Sequence, residues 1–164
     1  MLQSETQHDI VRSFKHDALC WHIGHGFGIL RAIQGSASNG STSFPIEKGD
    51  HFRTVCRYVE RNPRRANLVR RAELWRWSSL WHVKQGSAAW LSPWPEGRPD
   101  AAPWLRYVNG VETEAELSAV RHALRRGAPY GESSWMQRTA ARLGLQSTLH
   151  PRGRPAKKRD DDTD

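Results

Sequence analysis

A tyrosine with arginines close to it along the chain is the strongest candidate for chemistry in this sequence. Tyr58 lies in the segment 50–80, and four arginines are near it: Arg57, Arg61, Arg64 and Arg65. A tyrosine hydroxyl can attack a phosphate from solvent if its ring is held in one rotamer. Guanidinium groups bind phosphate oxygens through charge-assisted hydrogen bonds. The pattern predicts a nucleophile with phosphate-binding neighbours, and a packing tyrosine beside a solvated basic face is the alternative interpretation.

The segment that positions Tyr58 has the pattern of an amphipathic helix. Asp50 can accept the free N–H groups of a first turn, and Asn62-Pro63 ends the helix because a residue before proline avoids the α region. About three turns fit between them. On a helical wheel the apolar side chains share one face: Phe52, Val55, Cys56 and Val59. Three arginines lie largely opposite: Arg53, Arg57 and Arg61. This arrangement predicts Tyr58 at the boundary between core and solvent.

Tyr58 also opens an ordered motif that continues to residue 79. The motif is a tyrosine, Asn-Pro, a small residue before a Leu-Val pair, and Trp-x-Trp-Ser-Ser: Tyr58, Asn62-Pro63, Leu68-Val69 and residues 75–79. It resembles the end of the catalytic domain in single-tyrosine, HUH-type transposases, in particular the group associated with repetitive extragenic palindromes. The C-terminal half of the chain also resembles an extension carried by one branch of that family.

The resemblance implies a function as well as a fold. The intact family domain is a ferredoxin-like α+β sandwich that performs DNA transposition by cleaving single-stranded DNA. By this resemblance Tyr58 is the nucleophile that becomes joined to the 5′ phosphate, and Mg²⁺ on a histidine pair is the cofactor. Single-stranded or hairpin DNA is the expected partner at the tyrosine region.

The histidine pair of that family is not evident in the sequence. The family motif has two histidines flanking one hydrophobic residue, whereas His22 and His25 have two residues between them and would lie on opposite faces of a strand. Residues 44–47 look like the strand before the tyrosine helix, but no clear strand precedes them. We predict a poorly structured segment over residues 1–43, no metal site in this chain, and a catalytically impaired, apparently truncated remnant.

Composition favours a nucleic-acid partner. The 164 residues carry a formal net charge of +8 with a sequence pI near 10.2, and only 37% of them are hydrophobic. A basic surplus of this size indicates a polyanion, and DNA is favoured over a membrane because no amphipathic or transmembrane stretch accompanies it. A merely soluble basic protein is the alternative. Cys20 and Cys56 lack CxxC spacing, so free thiols in the cytoplasm are expected.

The region after the tyrosine motif divides into three parts by pattern. Residues 44–85 belong to the transposase-like part, where Trp75 and Trp77 can either stack on bases or fill the core. Residues 86–103 are rich in proline and glycine and predict a linker. In residues 104–149 a capping box at Thr113 and an apolar stripe predict one helix, and residues 132–143 a second. The pair is compatible with a helix-turn-helix or with a plain helical hairpin.

The last part of the sequence is a basic tail, residues 150–164, which predicts disorder. Its Arg-Gly-Arg-Pro run resembles an AT-hook, in which arginines enter the narrow minor groove of A·T-rich duplex. The residues predicted to contact DNA there are Arg152, Arg154, Lys157 and Lys158. A generic basic tail is the alternative.

Taken together, the sequence predicts a mainly α chain: a partial α+β remnant of the transposase domain, a helical hairpin and a disordered tail. The predicted function is that of a DNA-binding protein of the tyrosine transposase family. A non-catalytic DNA-binding module that uses only the hairpin and the tail is the alternative.

Overall fold

The computed structural model describes residues 44–87, 91 and 93–150, together with the backbone of three strands that begin further upstream. The strands are β1 (Cys20–Gly24), β2 (Phe27–Ala32) and β3 (Thr42–Ile46). The helices follow in chain order as α1 (Asp50–Glu60), α2 (Asn62–Arg65), α3 (Ser79–Lys84), α4 (Ala101–Asn109), α5 (Glu114–Arg126), α6 (Ser133–Leu143) and α7 (Gln146–Leu149), with a 3-10 turn at Ala72–Leu74. The described part is mainly helical, as predicted.

The three strands form an antiparallel sheet in the order β1-β2-β3. Only the last strand was predicted. The predicted poorly structured segment over residues 1–43 is wrong for β1, for β2 and for Thr42 and Ser43, which belong to β3. β1 and β2 are short, and each mixes polar with apolar residues. Their strand conformation depends on neighbours in the paired strand, which the sequence of one segment does not show. The rest of the predicted unstructured segment, including His25, lies outside the described residues.

The open edge of β3 is extended by the segment between α5 and α6. Ile46 and Tyr130 form a parallel bridge, in which Glu47 N donates to Tyr130 O at 2.9 Å and Tyr130 N donates to Pro45 O at 2.9 Å. The C-terminal helices are therefore joined to the sheet by backbone hydrogen bonds.

The tyrosine helix α1 has the predicted length but a different first turn. It begins after Gly49, whose φ of 78° suits a residue without a Cβ. Asp50 is the first helical residue and provides no cap; its carboxylate accepts from Arg53 at 3.2 Å instead. Phe52 and Val55 are buried, as the wheel predicted.

Two clusters of buried apolar side chains form the core, and both join the two predicted halves of the chain. The first combines β3, α1 and α5: Phe44, Ile46, Phe52, Val55, Val120 and Ala123. The second combines the 3-10 turn, α3 and α4: Ala72, Leu80, Trp104 and Val108. Residues 44–85 and 104–149 therefore pack on each other rather than standing apart.

The predicted linker takes part in this packing. Trp94 lies edge-on between Phe52 and Trp104, with ring centroids 5.1 Å from each. Helix α4 begins at Ala101, inside the predicted linker. Pro103 does not prevent this, because it stands in the first turn of the helix, where backbone N–H groups have no partner within the helix. The capping box at Thr113 is confirmed, and α5 ends at Gly127 with φ 63°.

Candidate functional site

Tyr58 lies half-buried on α1, at the boundary that the helical wheel predicted. Its ring packs against the first core cluster, and the Arg65 guanidinium lies over the ring with its carbon 4.4 Å from the centroid. A narrow cleft lies beside it. The cleft is lined by Thr54, Arg57, Tyr58, Glu112, Glu116, Leu117 and Val120. The ring is thus held on two sides, as a nucleophile or a packing residue would require.

The Glu112 carboxylate binds two of the four arginines near Tyr58. Arg65 Nη2 donates to both carboxylate oxygens of Glu112, at 2.8 and 2.6 Å, and Arg61 Nε lies 2.9 Å from Oε2. The Glu112 side chain is only 7% exposed, so this ion pair is largely shielded from water. Arg65 also donates to the Asn62 side chain. The phosphate-binding atoms of Arg61 and Arg65 are therefore already bound to an anion.

The same arginine group holds the end of α4. Arg61 donates to Val108 O at 2.8 Å, Arg64 donates to Asn109 O, and Arg57 donates to Val111 O at 2.6 Å. The last carbonyls of a helix have no partner within it and carry partial negative charge. Cationic donors satisfy them, so these contacts fix α1 and α2 against the C-terminal end of α4.

Arg57 differs most from its predicted position. It was expected on the solvent face of α1, but it is 5% exposed, stacks over Tyr107 at 4.1 Å and lies 3.6 Å from Glu116 Oε2. Arg61 is also mostly buried, with 14% of its side chain exposed. The wheel treated α1 alone, whereas the connection between α4 and α5 packs over its basic side. Only Arg53 keeps the predicted exposure.

The cleft beside Tyr58 is acidic as well as basic. Its walls include Glu112 and Glu116. A hydrogen bond from the Thr113 backbone holds the pKa of Glu116 below its ordinary value, against the effect of burial, and Arg57 adds to the lowering. Glu116 is therefore charged at neutral pH. An approaching phosphate would meet like charge at close range, which is unfavourable.

Other residues of the motif form a buried polar network around Glu60. Glu60 Oε1 accepts from Ser79 Oγ at 2.6 Å and from Arg98 at 2.5 Å, while Oε2 accepts from Trp104 Nε1 at 2.6 Å. Ser78 caps α3 by accepting from Trp81 N at 3.1 Å. The two serines of the motif therefore stabilise the fold of this chain, Ser79 through Glu60 and Ser78 as the cap of α3.

A second polar group joins Glu73 to α4. Asn109 Nδ2 donates to Glu73 Oε2 at 2.8 Å, and Asn109 Oδ1 accepts from Ala72 N at 3.0 Å. Burial raises the pKa of Glu73, but hydrogen bonds from Asn109, its own backbone and Arg71 outweigh burial and hold the pKa below its ordinary value. Sequence reasoning did not find Asn109, whose only signal was its place at the end of a helix.

The two predicted base-stacking tryptophans have different environments. Trp77 is 46% exposed, and the Arg76 guanidinium carbon lies 4.5 Å from its ring centroid. Trp75 is half-buried. The tryptophans of the second core are Trp94 and Trp104, which the motif did not single out. An exposed indole beside an arginine can stack on a nucleic-acid base.

A separate set of arginines faces solvent. Within residues 44–87 and 93–150, five arginines are exposed and form no ion pair: Arg70, Arg76, Arg106, Arg125 and Arg138. None of them belongs to the group around Tyr58. The predicted tail residues Arg152, Arg154, Lys157 and Lys158 lie outside the described residues. The structure therefore divides the basic side chains into an internal set and a surface set.

The described residues contain no candidate metal site and no candidate membrane span. No group of three or more His, Cys, Asp or Glu side chains is placed there to hold a metal ion, and the helices of that part are too short or too polar to cross a membrane. The side chain of His22 is outside the described part. No family model, curated protein or solved structure matches this sequence.

Proposed function

We propose that this protein is a DNA-binding protein of the single-tyrosine transposase type, in which the tyrosine region maintains the fold and strand cleavage is impaired. The observation that carries the proposal is the division of the arginines. Those next to Tyr58 bind Glu112 and the end of α4, while a different set is exposed without acidic partners among the described residues.

The surface set supports DNA as the partner. Unpaired guanidiniums on a protein with a net charge of +8 attract a polyanion and displace its condensed counterions. Exposed Trp77 beside Arg76 adds a ring on which a base of single-stranded DNA can stack. The tail with Arg152 and Arg154 adds a predicted contact to A·T-rich duplex. A neutral or basic partner would leave these charges without a role.

The internal set supports impaired cleavage. A strand to be cut must place its phosphate at the Tyr58 hydroxyl, and the nearby Arg61 and Arg65 would have to leave the Glu112 carboxylate to bind it. Exchange of one anion for another gains little Coulomb energy and separates a largely buried ion pair. DNA therefore binds elsewhere at lower cost, on the exposed arginines.

The experiment that tests this function measures DNA affinity against salt by fluorescence anisotropy, with labelled duplex and labelled hairpin DNA. We expect log K to fall linearly with log salt, with a slope of about −0.9 for each phosphate neutralised on duplex. Arg125→Ala should reduce the steepness of that slope by up to about 0.9. Arg53→Ala is the matched control, because Arg53 is exposed but already lies near Asp50 and Glu96. A flat salt response would contradict the proposal.

A further inference from the structure

The exposed face of α6 carries side chains that can read base edges. Ser134, Gln137, Arg138 and Ala141 are all exposed and follow each other at helical spacing, while Thr139 and Ala140 are buried on the other side. Glutamine pairs with adenine, arginine with guanine, serine with several bases, and alanine contacts the thymine methyl group. Helix α6 itself contains no acidic residue. Its exposed face thus has hydrogen-bonding groups and positive charge together.

Helix α6 is held firmly from its first turn. Glu132 N donates to Glu47 Oε2 at 2.6 Å, and Tyr130 pairs with β3 just before it. Gly131 admits no side chain, because a Cβ there would lie 2.6 Å from Glu47 Oε2 and 2.7 Å from Trp135 Cε3. The connection therefore has little freedom. A helix held in this way can present a fixed surface, which lowers the entropy cost of binding.

The chain after α6 returns to the end of α5. Arg126 Nη2 donates to Ser147 O at 2.7 Å and to His150 O at 2.8 Å. These bonds hold residues 147–150 against the C-terminal end of α5.

The charge of this region favours duplex DNA as the occupant. Residues 117–150 contain five arginines and one acidic residue, Glu132, which lies at the start of α6. The two arginines of α6 lie at its middle, Arg138, and near its C-terminal end, Arg142. By contrast, residues 101–116 contain one arginine and three glutamates. The positive excess is thus concentrated on α5 and α6, and it complements a phosphate backbone.

We propose that α6 enters the major groove of duplex DNA and reads bases through Gln137 and Arg138. Ser134 and Ala141 flank the two reading residues. This inference rests on the proposed DNA-binding function and adds the binding surface and the form of the DNA. Arg138 acts as a base-contacting residue, in contrast to Arg125, which contacts phosphate.

The test begins with selection of the full-length protein on a duplex library that has a central randomised stretch. We expect a short preferred site. On that site Arg138→Ala should lose about 10-fold in affinity or more, and the preference at one base pair should relax. Gln137→Ala should weaken the sequence preference at a neighbouring base pair. On a scrambled duplex both variants should lose only a few-fold, because phosphate contacts remain.

Arg106→Ala is the matched control for charge. Arg106 is exposed on α4, has no ion pair within the described residues, and lies outside the proposed surface. The Arg106→Ala variant should lose DNA affinity by the same small factor on the selected and on the scrambled duplex. Circular dichroism of each variant checks that alanine has not changed the fold. Equal losses for Arg138→Ala and Arg106→Ala on the selected site would overturn the inference.

The remaining outcomes separate this inference from the proposed function. Salt-dependent duplex binding without any preferred site overturns the reading role of α6 and leaves DNA binding intact. Binding to no DNA at all overturns both. Equal competition by an RNA duplex of the selected sequence also overturns the inference, because the deep, narrow major groove of A-form RNA does not admit a helix.

Discussion

Glu60→Ala is expected to lower the free energy of unfolding by about 3 to 5 kcal/mol, the range typical of breaking a buried charged pair. The Glu60 side chain is 5% exposed and accepts hydrogen bonds from Ser79, Arg98 and Trp104. Alanine leaves the Arg98 guanidinium without its anion and the buried indole N–H without its acceptor. Each unsatisfied buried group adds its own desolvation cost. Urea unfolding of the full chain at neutral pH measures the loss.

Glu96→Ala is the matched control for that experiment. Glu96 is 48% exposed, and its carboxylate lies 3.9 Å from Arg53, so its removal should change stability by less than about 1 kcal/mol. Glu60→Gln should fall between the two, because an amide keeps one oxygen acceptor and the shape of the side chain. A Glu60→Ala protein as stable as Glu96→Ala would show that the network around Glu60 does not hold the two core clusters together.

Glu112→Ala is the second substitution with a large expected effect, a loss of about 3 kcal/mol. Its carboxylate joins Arg61 and Arg65, whose side chains are 14% and 22% exposed. Burial lowers the pKa of Arg61, and Glu112 raises it back toward its ordinary value. Without Glu112 the cluster keeps its mutual repulsion and loses its anion. The midpoint of urea unfolding should fall accordingly.

Glu114→Ala separates this effect from a general loss of acidic charge. Glu114 is exposed in the first turn of α5, where a carboxylate stabilises the helix by up to about 1 kcal/mol. Added sulfate should restore part of the stability of Glu112→Ala, since it can take the place of the carboxylate between the arginines, and should do less for Glu114→Ala. Equal stability of the two variants would contradict the role of Glu112.

The helices were predictable because their signals are local. The capping box of Thr113 and Glu116 and the apolar stripe of α1 each lie within a few residues, so the sequence contains both partners. Asn67 is a similar case: its φ of 56° explains why a small residue precedes Leu68-Val69, since asparagine tolerates this conformation better than most side chains.

The site was less predictable because its partners are distant and mostly backbone atoms. Arg57 donates to a carbonyl 54 positions away, and Arg61 to one 47 positions away. Every residue has a carbonyl, so no residue type marks these acceptors. A wheel of α1 therefore placed its arginines in solvent. Only the position of Asn109 and Gly110 at the end of α4 could have indicated a cluster of unpaired carbonyls.

Cys56 illustrates the same limit on a smaller scale. The wheel correctly predicted that it turns toward the apolar side, and it packs against both core clusters. Burial raises the pKa of its thiol well above the ordinary value, and the charge of Glu60 adds to the rise. The thiol is therefore protonated at neutral pH, and the thiolate is the nucleophilic form. Its contact with the second cluster required knowledge of α4, which the sequence had assigned partly to a linker.

The most direct test of the central claim, that this chain binds DNA while its tyrosine region serves the fold, is one binding mixture analysed on two gels. Full-length protein is incubated with labelled single-stranded hairpin DNA and Mg²⁺, and half of each sample runs on a native gel and half on a denaturing gel. The prediction is a shifted, salt-sensitive complex on the native gel and no covalent adduct on the denaturing gel. Tyr58→Phe, which removes only the hydroxyl, should behave like the unsubstituted protein. An adduct that survives denaturation and disappears in Tyr58→Phe would contradict the account.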